Sequence, residues 1–231
     1  MSLTLTLLRA RVAQRMDATG ATRWNTTTGP TGEIDPIIAN AFDREWRRIL
    51  TANPYIRMSQ KTPTSDASGR YLLSDLQTLT GDSQERLFRV MLVKIDGFVY
   101  EEVSLRDWAG SLTDNPLARV WWRQGDYLMA LPQTASKQAD MIWVSHLPTR
   151  PDAVSAVGVS CVFPEGYDEV VVLEAAADLL LKGNAESDAS MNLRALANIL
   201  RTDMLADLAR TGSRPTRMQY SDYGSDWGAS G

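Results

Sequence analysis

The apolar residues of this 231-residue chain change period twice. Near both ends they recur every three or four positions, which gathers them on one face of a helix. In the middle they alternate, which gathers them on one face of a strand. A segment with one period does not settle as the other, so this order constrains the fold more than any single motif.

At the N-terminus, Leu5, Leu8, Val12 and Met16 predict a helix over 3–17. Arg9, Arg11 and Arg15 fall on its other surface, Gly20 is a stop, and "NTTTGPTG" reads as loop. A second helix is expected from Asp35-Pro36, with Asp35 as cap and Pro36 at the first helical position. Ile38, Phe42, Ile49 and Leu50 form its buried stripe, Trp46 lies at the edge, and Asn53-Pro54 ends it.

Short alternating runs then fill 55–165. "RYLLSD" reads as a weak strand. Asp96-Gly97 between "RLFRVMLVKI" and "FVYEEVS" predicts a type I′ hairpin. "LTDNPLA" reads as loop, and "RVWWRQGDYLMALP" holds two strands around Gly125-Asp126. "DMIWVSHLPTRP" is a further strand, ended by Pro148 and Pro151.

Helix returns near Asp168, where Val170, Leu173, Ala177, Leu180 and Leu181 make an apolar face closed by Lys182-Gly183. A last helix is expected from Ser187 to Arg210, with Leu193, Leu196, Leu200, Met204 and Leu208 facing one way. The expected fold is α+β. Residues 1–54 and 166–212 form a four-helix bundle, 55–165 a small antiparallel β domain inserted in it, and 213–231 an extended C-terminal arm.

Composition narrows the function. Hydrophobic residues make up 44% of the chain, enough for a packed core. A net charge of −4 and a pI of about 5.1 argue against tight non-specific DNA binding, which needs a basic footprint. Cys161 is the single cysteine, so no intrachain disulfide forms, which fits a reducing cytosol. No apolar run approaches the roughly 20 residues of a membrane span. The opening "MSLTLTLLRARVAQRMD" lacks the layout of a secretory signal.

Motifs for chemistry do not emerge. His146 and Cys161 form the one nucleophile–base candidate, without a flanking signature, and His146 sits in an alternating strand where a structural role is expected. One histidine and one cysteine do not make a zinc site. Glu101 and Glu102 point to opposite strand faces. Asp203 and Asp207, one helical turn apart, read as a solvated face. Phosphate-binding glycine motifs are missing. The expectation is therefore no enzyme, with no catalytic, cofactor-binding or metal residues. The aromatics carry more signal. Trp121 and Trp122 place one indole on each strand face, so one packs in the core and the other in a second layer or a subunit interface.

The motif order resembles that of the head–tail adaptors of tailed bacteriophages, also called head-completion or connector proteins. The resemblance spans most of residues 3–210. It rests on "LTLLRARVAQRMDATGATRW", "GEIDPIIANAFDREWRRI", "VMLVKIDGFVYEEVS" followed by "ARVWWRQGDYLMALP", "IWVSHLPTRP" leading into "FPEGYDEVVVLEAAADLLLKGN", and "SMNLRALANILRTDMLADLA". It implies a helical bundle with an inserted β domain, assembled as a homo-oligomeric ring, typically dodecameric, under the portal protein at the capsid–tail junction of the virion. Such a ring, made in the host cytoplasm, extends the DNA channel and gives tail or nozzle proteins a platform. Duplex DNA passes through it without specific binding. Neither enzymatic activity nor a membrane is implied, although some short-tailed-phage relatives are credited with cell-wall hydrolysis.

The closing "RMQYSDYGSDWGASG" fits this picture. Glycine and serine at that density do not fold alone, yet the stretch carries large apolar side chains. Met218, Tyr220, Tyr223 and Trp227 are expected to anchor an arm in pockets of the portal or a neighbouring subunit, with Arg214 and Arg217 meeting acidic groups at its root. Two other functions compete: a β-domain binding module for a carbohydrate or peptide, and a carboxylate-dependent cell-wall hydrolase.

Overall fold

The computed structural model of the chain describes residues 4–16, 34–80, 83–104, 118–133, 135–151, 162–182 and 187–212. Among them are four α-helices: α1 (Leu5–Arg15), α2 (Ile34–Ala52), α3 (Glu169–Lys182) and α4 (Ser187–Gly212). Eight strands lie between α2 and α3. They are β1 (Met58–Lys61), β2 (Arg70–Leu72), β3 (Thr78–Thr80), β4 (Ser83–Ile95), β5 (Phe98–Glu102), β6 (Val120–Gln124), β7 (Tyr127–Leu131) and β8 (Met141–Leu147). No described helix is long and apolar enough to cross a membrane.

Each helix starts for a local reason. Thr4 caps α1, its hydroxyl accepting the Leu7 N–H at 3.2 Å. The expected cap of α2, Asp35, is instead inside the helix, and both of its carboxylate oxygens accept from the Arg9 guanidinium. Arg11 and Arg15 of α1 reach Asp168 and Glu169 at the start of α3. The same acids suit that helix end, where backbone N–H groups present partial positive charge.

The helices do not form the expected four-helix bundle. Residues Val170–Ala177 of α3 are all buried, together with Leu179. A helix apolar on all sides must be covered on all sides. Accordingly α1, α2 and α4 each pack on α3, which is the helix the other three share. A bundle instead asks one apolar stripe of each helix. The stripe read from Val170, Leu173 and Ala177 was a part of a surface that is apolar nearly all round.

The β region is also larger and differently connected than a small antiparallel insert. Its strands run in the order β1-β8-β4-β5-β6-β7-β2, with β3 added beside β4. Every neighbouring pair is antiparallel except β5 and β6, which run parallel with Glu101 opposite Val120. The sheet is therefore mixed, and it curls into a half-barrel. Two irregularities in β4, between Leu87 and Arg89 and between Val90 and Leu92, interrupt its pairing with β8. Bulges of this kind raise local twist and bend the strand.

Both tight turns follow from sequence. Asp96 and Gly97 have φ of 55° and 78°, as a type I′ turn requires of both central residues. Gly125 has φ of 58° with no positive value at Asp126, which suits type II′.

Two apolar clusters result. Tyr71, Leu76, Val93, Trp121, Leu128, Ile142 and Val144 fill the inside of the curl. Leu8, Ile38, Phe42, Trp46, Val172, Leu179 and Met204 fill the space among the helices. Leu147 of β8 and Phe88, at the first β4 irregularity, belong to the helical cluster and join sheet to helices. Trp46 is buried, not peripheral. Its indole N–H donates to the Val162 carbonyl at 2.9 Å, and its ring meets Phe163 edge-on with centroids 5.8 Å apart.

Candidate functional site

Seating α4 requires an ionic network as well as apolar packing. Glu45 of α2 is fully buried, and its two oxygens accept from Arg201 of α4 at 2.8 and 2.9 Å. Arg201 also donates to Glu174 of α3, and Arg48 of α2 donates to Glu45. Glu174 and Asp178 accept from Arg44 at 2.8 and 3.0 Å, and Asp178 accepts from Arg194 at 2.8 Å. Three helices are thus cross-linked by carboxylates that each serve two or more guanidiniums. Such sharing satisfies charges that burial alone would penalise.

Beside the network lies a groove of about 670 Å³, lined by Asn40, Asp43, Arg44, Arg47, Arg48, Thr51, Ala52 and Leu205. Three guanidiniums and one carboxylate border it. That carboxylate, Asp43, is already held through both oxygens by Arg86 of β4. Arg47 reaches the same group only at 3.9 Å and is more than half exposed. Within an acidic chain this is a locally basic groove with an apolar end.

The outer face of α4 is the second notable surface. Ser190, Ala197 and Met204, spaced by seven, are buried against the other helices. The Ser190 hydroxyl donates to the Ala177 carbonyl at 3.1 Å. Met191, Leu196 and Ile199 turn the other way and are 60%, 50% and 60% exposed. Leu196 was expected on the packed face with Leu193 and Met204. The seven-residue spacing of the packed side places it outside instead. One helix thus has two apolar sides, and only one is covered among the described residues.

A third apolar group stands at the β4–β5 turn. Phe98 and Val99 are about half exposed, and the Arg119 guanidinium stacks 3.5 Å from the Phe98 ring centroid. The turn is fixed from below. The Gly97 N–H donates to Asp140 at 2.6 Å, and Lys137 pairs with Asp96 at 2.5 Å.

The residues singled out in sequence fall as follows. Trp121 joins the cluster inside the curl. Trp122, on the opposite strand face, is equally buried within the single chain. Arg214, Arg217, Met218, Tyr220, Tyr223 and Trp227 lie outside the described residues, as do Cys161, Gly20, and the loop stretches "NTTTGPTG" and most of "LTDNPLA". Asp207 accepts from the Tyr167 hydroxyl.

His146 is buried, and its Nε2 lies 2.6 Å from the Ser59 hydroxyl across the β1–β8 pair. Burial lowers its pKa, and Lys61 and Arg57 lower it further against a smaller opposing effect of Glu85. Among the described residues its Nδ1 has no hydrogen-bond partner, so no carboxylate orients the ring as in a serine triad. No group of three or more potential metal ligands occurs among the described residues.

Sequence reading missed the groove and the outer α4 row. The groove had a signal in "DREWRRI", where Arg44, Arg47 and Arg48 recur at helical spacing. The outer row had one in Met191, Ala195 and Ile199, spaced by four. No family model and no curated protein matches this chain.

Proposed function

We propose that the chain is an assembly protein whose work is done by surfaces rather than by a bond-making centre. The observation that carries this reading is the outer row of α4. Large apolar side chains aligned along one exposed helix face, opposite a face already packed, mark a contact surface. The half-exposed Phe98 and Val99 at a braced turn add a second.

Within that class, the motif order favours a head–tail adaptor of a tailed bacteriophage. Copies would join side by side in a ring below the portal, extend the DNA channel, and present a platform to tail proteins at the capsid–tail junction. A mildly acidic chain suits a conduit, since the net charge of −4 does not hold the DNA backbone. The arm from Arg214 to Trp227 would contribute contacts to the portal or a neighbouring subunit, and repetition around the ring would make weak contacts strong together. The test is electron microscopy of purified chain mixed with the portal protein of the same phage. A ring capping the portal is expected, and its loss when residues 213–231 are deleted. A folded chain that leaves the portal bare would refute the adaptor reading.

A further inference from the structure

We propose that the arginine groove of α2 is the docking site of the chain's own C-terminal segment, residues 220–227. This goes beyond the adaptor reading and does not rest on it.

The groove side is set by geometry. Arg44, Arg47 and Arg48 border it, Arg44 paired with Glu174 and Asp178 and Arg48 with Glu45, while Ala52 and Leu205 give it an apolar end. The one carboxylate at its rim, Asp43, is engaged by Arg86, and Arg47 is left more than half exposed with a 3.9 Å partner. An occupant must therefore bring negative charge and flat apolar surface together. Guanidiniums accept both, pairing with carboxylates at their edges and stacking on aromatic faces.

The segment side is set by sequence. Residues 221–228 are a tandem tetrapeptide, Ser221-Asp222-Tyr223-Gly224 followed by Ser225-Asp226-Trp227-Gly228. Each unit offers one carboxylate and one aromatic ring. No lysine or arginine occurs after Arg217. Two acids and two rings, preceded by Tyr220, complement the exposed Arg47 guanidinium, the stacking faces of Arg44 and Arg48 beside it, and an apolar floor. A bare polyanion would match the charge but leave Ala52 and Leu205 uncovered.

Chain length permits the contact in the same molecule. Leu205 lines the groove, and α4 ends at Gly212, which is seven residues or about 10 Å further on. Asp222 follows Gly212 by ten residues, enough to span about 33 Å when extended. The return path is thus covered about threefold. Tethering raises the local concentration of the segment, so even a weak pairing is populated.

The experiment uses the full chain, free and dilute, with the photoreactive residue p-benzoylphenylalanine placed at position 227. After irradiation, cross-linked peptides are mapped by mass spectrometry. Cross-links to residues 40–52 or to the turn of α4 around Leu205 are expected. Arg47→Glu should lower their yield about fivefold, the size of one or two exposed charge pairs. Adding Asp222→Lys and Asp226→Lys to Arg47→Glu should restore it. Asp222→Asn with Asp226→Asn reads the same contact without altering the described fold, and should also lower the yield. Cross-links that map elsewhere, or a yield indifferent to these charges, would overturn the proposal. Portal binding does not enter this readout, so it stands or falls separately from the adaptor reading.

Discussion

At the scale of single residues, the sharpest consequences come from buried charge. Glu45 is fully enclosed and its partner Arg201 nearly so. Removing one member of such a pair leaves the other desolvated without compensation. Glu45→Ala should destabilise the fold by about 3 kcal/mol, read by urea denaturation, since Arg201 keeps Glu174 as its one carboxylate and Arg48 loses its nearest one. His146 carries a second consequence. Its folded pKa lies below that of the unfolded chain, so between the two values the unfolded state binds a proton that the folded state refuses. Its contribution to stability is intact above about pH 7 and is lost as pH falls through about 6.5 and below. The loss approaches about 1.4 kcal/mol per pH unit until the folded pKa is reached. His146→Gln should flatten that part of the stability–pH profile. An unchanged slope in the variant would mean the imidazole is not the group responsible. A structural role for His146 was legible from its alternating strand, but that of Glu45 was not. Glu45 sits in a charged run, "FDREWRRI", where the default reading is a solvated face, and only the return of α4, with Arg201 156 residues further on, encloses it.

At the scale of elements, what could be read in sequence was what short-range chemistry decides. Asp96-Gly97 dictated its turn because Asp-Gly is one of the few pairs that accept positive φ twice at low cost. Gly97 has open space where a Cβ would stand, so Gly97→Ala should cost about 1–2 kcal/mol from backbone strain alone, measured by thermal denaturation. The ends of α2, α3 and α4 were likewise legible from Asn53-Pro54, Lys182 and Ser187. Strands β1 and β3 were not, because "MSQK" and "TLT" each hold a single apolar residue, too few to show a period, and β1 exists through pairing with β8. The parallel β5–β6 joint was equally hidden, since it depends on a connection that local pattern does not constrain. For α4, helical period was plain but direction was not. With apolar residues on both sides, the sequence admits two packed faces, and the ion pairs of Arg194 and Arg201 choose between them. Met191→Glu or Ile199→Glu should therefore leave the unfolding free energy within about 0.5 kcal/mol of the parent in urea denaturation, as exposed positions do. The same changes should weaken self-association.

At the scale of the whole molecule, a helix-covered half-barrel differs from an inserted β domain on a bundle in what it offers to neighbours. Because α3 is enclosed by α1, α2 and α4, the outermost of these can face a partner without exposing the core. A curled sheet with its own apolar interior keeps its β4–β5 turn outward and braced while the helices engage elsewhere. Both features suit a subunit that contacts neighbours on more than one side. The deciding measurement is sedimentation velocity of the chain with and without the portal protein that the adaptor proposal names as partner, on the parent and on the Met191→Glu, Ile199→Glu double variant. A portal-bound ring that forms with the parent and fails with a fully folded double variant is the expected result. Equal assembly by both, or a parent that stays a lone monomer in that mixture, would contradict the proposal of the outer α4 row as an assembly surface.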